Sequence, residues 1–289
     1  MQNEIRIGIS GWRYPPWRGT FYPENLAQRR ELEFASRQVN SIEINGSFYS
    51  LQTPRSYGDW HAQTPDGFLF AVKGGRFITH MKRLRDVETA LANFFASGVL
   101  RLKDKLGPIL WQFPGNFRVD LDRFAAFFEL LPHDTRSAAR LARRHDDRLK
   151  ARAWMRIDAN RRIRHAVEIR HESFRDERFI RLLRRHGIAL VVADTAGKWP
   201  LMEDVTADFV YVRLHGDKEI YVSGYTGKAL DNWAEKIRHW AAGGDAPGAQ
   251  VLVPARKRRS RDVYVYFDND IKVRAPADAI TLMRKLGAR

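Results

Sequence analysis

Residues 41–45 read SIEIN, and residues 211–215 read YVRLH. Alternate side chains of an extended strand face opposite ways. Ile42 and Ile44 therefore share one face of their strand, and Glu43 and Asn45 share the other. In a closed barrel one strand face meets the surrounding helices and the other meets the interior. Apolar outer faces with ionisable inner faces fit that setting. The same alternation recurs in AVEIR, where Val167 and Ile169 face out and Glu168 and Arg170 face in. In YVRLH it turns Arg213 and His215 inward, and in FAVK it turns Lys73 inward. Gln112 and Asp194 join this set from strands whose alternation is weaker.

Working outward, eight β-branched runs span the chain: Ile5–Ser10, Ser41–Asn45, Phe68–Lys73, Pro108–Phe113, His165–Arg170, Ile188–Thr195, Asp208–His215 and Asp262–Phe267. Segments of helical periodicity lie between most of them, at Glu24–Val39, Val87–Leu106, Asp176–His186, Lys228–Ala242 and Ala275–Leu286. Alternating strands and helices imply a parallel sheet. Eight strands in 289 residues imply one α/β domain, a single (β/α)8 TIM-like barrel. The runner-up, an open doubly wound sheet, lacks the G-x-G-x-x-G turn after its first strand. The short link between the sixth and seventh strands holds Lys198, Trp199 and Pro200, so an irregular or missing helix is expected there.

The composition is globular, with 44% hydrophobic and 29% charged residues. The absence of cysteine excludes disulfides and thiolate metal sites, and fits a reducing compartment. No run approaches the ~20 apolar residues of a membrane span. No leader pattern precedes the first strand, and a cytoplasmic protein is expected. The net charge of +16 is unevenly distributed. Residues 136–164, an Arg-rich insertion between the fourth and fifth strands, hold eleven Lys or Arg against three Asp. Residues 256–261, RKRRSR, add five more cations. Both segments precede strands, which puts them at the bottom of a barrel, opposite the usual active-site end. They are candidates for weak, sequence-independent nucleic-acid binding, with a merely solvated helix as the plain alternative.

The strand ends carry the chemistry. Glu43, Glu168, Lys73 and His215 are the candidate catalytic groups, in acid–base or electrostatic roles. Buried charges on several strands can also form a neutral ion-pair network that only braces the barrel. The excess of Lys73, Arg170 and Arg213 over carboxylates points to a small anionic ligand, phosphorylated or sugar-like. A single divalent metal held among Glu43, Glu168, His171, Asp194 and His215 remains an alternative. The loop after the first strand, GWRYPPWRGTFYP, and the pair Phe48 and Tyr49 put aromatic rings near the mouth, either as a stacking surface or as a packed lid.

These segments together resemble the YecE-like family, also called domain of unknown function 72. The matching pieces are Gly11 and Trp12 with Trp17, Gly19 and Phe21 to Pro23; Glu43 to Asn45 with Ser47 to Tyr49; Lys73, Arg76, Thr79, His80, Arg83 and Leu84; Gln112 to Pro114; Glu168 to His171; Tyr211 to Gly216; and Tyr264 to Asn269. The resemblance implies a (β/α)8-like barrel and no established activity. Asp268 stands where the family usually has Asn, and Ser47 and Phe174 replace Thr and Trp. The strand ends, aromatic loop and motifs give a ligand-binding set of Trp12, Asn45, Tyr49, Arg76, His80, Gln112, Arg170, His171, Arg213 and Asn269. The expectation is an enzyme, a hydrolase or an isomerase or lyase. The alternatives are a metal-dependent phosphodiesterase of repair type and a non-catalytic binding protein.

Overall fold

The computed structural model describes residues 3–149 and 152–288; Lys150 and Ala151, within the Arg-rich segment, lie outside the described residues. Eight parallel strands close in sequential order: β1 (Ile5–Ser10), β2 (Ser41–Ile44), β3 (Leu69–Lys73), β4 (Leu106–Gln112), β5 (His165–Glu168), β6 (Ala189–Asp194), β7 (Phe209–Leu214) and β8 (Asp262–Phe267). Around them run α1 (Glu31–Ala35), α2 (Gly46–Tyr49), α3 (Pro54–Gln63), α4 (Glu88–Ala96), α5 (Leu121–Leu130), α6 (Thr135–Ala142), α7 (Glu177–His186), α8 (Gly227–Ala241) and α9 (Arg274–Leu286).

The chain departs from its periodicity in two helices. The expected helix over Glu24–Val39 begins only at Gln28, because Ala27 is extended and the preceding loop packs Phe21 and Tyr22 against Phe34. The expected helix over Val87–Leu106 breaks at Gly98, whose φ is 117°. A Cβ there would lie 2.5 Å from Pro54 Cα, so the break lets α3 pack closely. No helix joins β6 to β7 among the described residues. That link is instead held by polar contacts, with Asp204 accepting from the amides of Leu252 and Val253. No helix among the described residues is long and apolar enough to cross a membrane.

The outward faces of the strands join the helices in the main core, and the inward faces form a separate, smaller cluster. That interior alternates bulky and small side chains. Tyr211, Tyr264 and Tyr266 sit beside Ala71, Ala166, Ala189 and Ala193. Ala71 pairs with Glu43 across β2–β3, and Ala193 pairs with Arg213 across β6–β7. The small residues leave room for a polar layer above the tyrosines. Gly8 marks the tightest approach: a Cβ there would stand 1.8 Å from the Ser41 carbonyl oxygen. Gly8→Ala is expected to destabilise the barrel by about 1–3 kcal/mol through forced backbone shifts. An unchanged melting temperature would show that β1 and β2 do not approach this closely.

Candidate active site at the carboxyl end of the barrel

Above the tyrosine layer, one guanidinium organises the barrel interior. Arg213 is wholly buried. Its Nε and Nη2 donate to Glu43 at 3.1 and 2.9 Å, its Nη1 to Glu168 at 2.7 Å, and its Nη2 also to Asp268 at 2.8 Å. Ser10 and Tyr211 hydroxyls donate to Glu43 as well. Arg170 donates to the far oxygen of Glu168 and stacks over Trp199 at 3.9 Å. His215 Nε2 accepts weakly from Arg213 at 3.4 Å, while its Nδ1 lies 3.0 Å from Asp268 without hydrogen-bond alignment. Burial, then the Arg213 charge, lowers the His215 pKa, so a neutral ring with its proton on Nδ1 fits both contacts. Burial alone would raise the carboxylates, but the surrounding cations and His215 together outweigh it, Arg170 and Arg213 foremost at Glu168 and Arg213 foremost at Asp268, holding both below the usual range.

This layer is the floor of a cleft of about 720 Å³ at the carboxyl ends of the strands. Asn45, Lys73, Gln112 and Arg170 reach it from β2 to β5, and Asp268 and Asp270 from the end of β8. Phe48, Tyr49, Arg76 and His80 form one wall, and Tyr14 and Tyr221 the other side. The wall holding Arg76 and His80 includes a single π-helical turn, Phe77–Met81, followed by positive φ at Arg83, Leu84 and Asp86. Strain of this kind clusters at functional sites.

Three groups on the cleft are unusual. Lys73 is 8% exposed, and its Nζ has no hydrogen-bond acceptor among the described residues. It lies 4.6 Å from the Phe48 ring centroid. Burial, reinforced by Arg213, lowers its pKa to about 8 against the pull of Glu43, Asp268 and Glu168. Burial, then Asp268, raises Asp270 to about 6. Burial, then Arg170 and Lys73, lowers His80 to about 4, so its ring is neutral at neutral pH.

The expected site residues divide by depth. Lys73, Asn45, Tyr49, Arg76, His80, Gln112 and Arg170 line the cleft. Glu43, Glu168, Arg213 and His215 are the buried floor and present no surface to it. Four residues lie elsewhere. Asp194 points outward, because β6 turns Ala189, Val191 and Ala193 inward, and it accepts from Tyr225. His171 caps a short turn through Ser173. Trp12 packs edge-on against Trp60 beside a neighbouring groove. Asn269 is buried and donates to Ser223 and Asp278. The five metal-ligand candidates therefore do not converge, and Arg213 occupies the space among Glu43, Glu168 and His215. No group of three or more such side chains forms a metal site among the described residues. Sequence reading missed Asp270 and Tyr221, which sit in irregular loops with no period to expose them.

The two basic segments lead into β5 and β8, away from the cleft. Several of their arginines are already paired: Arg144 with Glu88, Arg161 with Asp158, Arg162 with Asp208 and Arg164 with Asp262. Arg261 is buried and donates to the carbonyls of Gly244 and Arg256.

The sequence profile of the family described as protein of unknown function DUF72 matches residues 6–289. The chain belongs to the DUF72 family. UPF0759 protein YunF of Bacillus subtilis is 29% identical over 115 residues, 38% of this chain and 40% of that protein. UPF0759 protein YecE of Escherichia coli K12 is 28% identical over 113 residues, 39% of each. The chain thus spans about two fifths of the length of the curated relatives it matches. The crystal structure of a DUF72 family protein from Thermotoga maritima superposes with a TM-score of 0.75 at 24% identity, over 99% of this chain and 100% of that one. One from Enterococcus faecalis gives 0.70 at 15% identity, over 99% and 96%. At these identities the DUF72 structures establish the barrel and nothing about its chemistry.

Proposed function

We propose that this DUF72 protein is an enzyme that binds a small anionic substrate in the cleft and works by acid–base chemistry. The observation that carries this is the Lys73 ammonium, nearly buried, facing the cleft, with no acceptor among the described residues. Buried cations are normally paired, and an unpaired one aimed at a cavity implies that a ligand completes it. Arg76 beside it also lacks a carboxylate partner among the described residues and reaches the same cleft. Its guanidinium lies 5.7 Å from the exposed Tyr49 ring, which suits gripping the outer end of an anion. Asp270, at about 6, is poised to exchange a proton at neutral pH, and neutral His80 can hydrogen-bond a substrate. A hydrolase, isomerase or lyase fits these parts.

The test is ligand-dependent stability. Inorganic phosphate, sulfate and small carboxylates are titrated against the wild type, Arg76→Ala and Lys73→Met. An anion at ~100 times its Kd adds ~2.7 kcal/mol, roughly 5–10 °C in melting temperature for a domain of this size. The wild type is expected to shift and both variants to lose most of the shift. Equal shifts in all three proteins would remove the cleft from anion binding.

A further inference from the structure

We propose that Lys73 is a nucleophile, forming an imine with a small aldehyde or ketone that carries an anionic group. This deepens the proposed function and rests on that reading of the cleft. Among the described residues two lysines are deeply buried, and they differ in kind. Lys105, 3% exposed, donates to His61 O at 2.8 Å, Thr64 O at 2.7 Å and the Thr64 hydroxyl at 3.2 Å. It is a structural cation with every proton used. Lys73 has none of these acceptors and points from the last position of β3 into the cleft.

An ammonium held this way draws an anion into the cleft, but it need not be the group that grips it. The site already has arginines for that task at Arg76 and Arg170, which keep their charge at any pH. A lysine packed against an aromatic ring and above a guanidinium gives up its proton readily instead, and the free amine attacks carbonyl carbon. The charged and titratable groups that act on Lys73 are Arg213, Glu43, Glu168 and Asp268 in the floor, and His80 and Arg170 line the same cleft. Phe48 touches both Lys73 and the His80 ring, at 4.6 and 5.1 Å between the relevant centres. Lys73 and the His80 imidazole therefore flank the same ring and line the same cleft.

The chemistry balances without any redox partner. The Lys73 nitrogen lone pair forms a C–N bond to the carbonyl carbon, and the carbonyl π pair passes to its oxygen. The added nitrogen loses one proton to the Asp270 carboxylate or to water, and the oxygen takes one from the same group, giving a neutral carbinolamine. A further proton on that oxygen, from the acid form of Asp270 or from water, lets it leave as water. The nitrogen lone pair then closes the C=N bond, leaving a protonated imine. Arg76 and Arg170 hold the anionic end of the same molecule.

The experiment uses glyoxylate, an aldehyde bearing a carboxylate, with cyanoborohydride at pH 7, followed by peptide mass mapping. Reduction of the imine leaves carboxymethyl-lysine at the reacting position. A surface lysine near pKa 10.4 has a neutral fraction about a hundredfold smaller than one near 8. Lys73 is expected to be modified at least tenfold faster than the median lysine, with sulfate slowing it. Uncharged glycolaldehyde is expected to label Lys73 more slowly than glyoxylate does, because only the amine's larger neutral fraction then favours this position. Lys73→Arg is expected to abolish modification at this position and to leave the labelling of the other lysines as in the wild type. An unmodified Lys73 in a wild type that still shifts with anions would overturn the imine and leave the anion site standing. Neither modification nor anion shift would overturn both. Equal labelling by glycolaldehyde would overturn the anionic substrate class.

Discussion

Arg213→Met is expected to lower stability by about 3–5 kcal/mol, the usual result of removing one partner from a buried ion pair. For a domain of this size that is roughly 10 °C in melting temperature, or loss of soluble protein where the margin is smaller. The reason is geometric. One guanidinium meets Glu43 with two nitrogens, Glu168 with a third, and shares Nη2 with Asp268. Without it, Glu168 keeps Arg170 and Glu43 keeps two hydroxyl donors, but Asp268 and Glu43 lose their cation. Arg213→Lys is expected to rescue little, because a single ammonium cannot span the fork. Glu43→Gln added to Arg213→Met is expected to recover part of the loss, and a double-mutant cycle reads the coupling.

The pH dependence separates wild type from variant. In the wild type Glu168 and Asp268 are held below their unfolded values. Their contribution is fully present above about pH 4.3 and is lost as the pH falls toward the folded values. In Arg213→Met burial acts on Asp268 without its main opposing cation, so its carboxyl is expected to rise and the deficit to shrink as the pH falls from 7 toward 5. A variant within 2 °C of the wild type at pH 7 would mean that the floor is not a structural hub.

The floor also explains what could be read from the sequence. The alternation in SIEIN, AVEIR and YVRLH turned the right residues inward, because each has apolar partners on the opposite face. The stretch ALVVAD of β6 is apolar on both faces, so its phase was not legible, and Asp194 was misread. What sets that phase is the need for small Ala193 beside Arg213. Depth was equally hidden. Glu43 and Asn45 share a face, yet one is in the floor and the other on the cleft, and only the stagger of the strands decides which. The missing helix before β7 was legible, since Pro200 and its neighbours left no room for a periodic stripe. α3, α5 and α6 went unread despite real cap signals, Thr53 with Pro54, Asp120, and Asp134.

Lys73→Met is expected to do the opposite of Arg213→Met and stabilise the protein. Burial and Arg213 hold the ammonium at about 8 instead of 10.5, which corresponds to about 3 kcal/mol of penalty on the folded state. The attraction of Glu43, Asp268 and Glu168 is already contained in that net lowering. The sign follows from proton counts. Below pH 8 both states are protonated and the penalty is complete. Between 8 and 10.5 the unfolded chain holds the proton that the folded one has released, so stability rises with pH. The gain from Lys73→Met is therefore largest at neutral pH, roughly 5–10 °C, and fades as pH climbs to about 10.5. Melting curves of both proteins from pH 6 to 10.5 read it directly. A residue kept at such a cost to folding is accounted for by what it does to a ligand, since function is the usual reason a chain retains a destabilising group. A lower melting temperature for Lys73→Met at pH 7 would instead make Lys73 the third cation of the floor, balancing its three carboxylates, and would take away the basis for its role in the cleft.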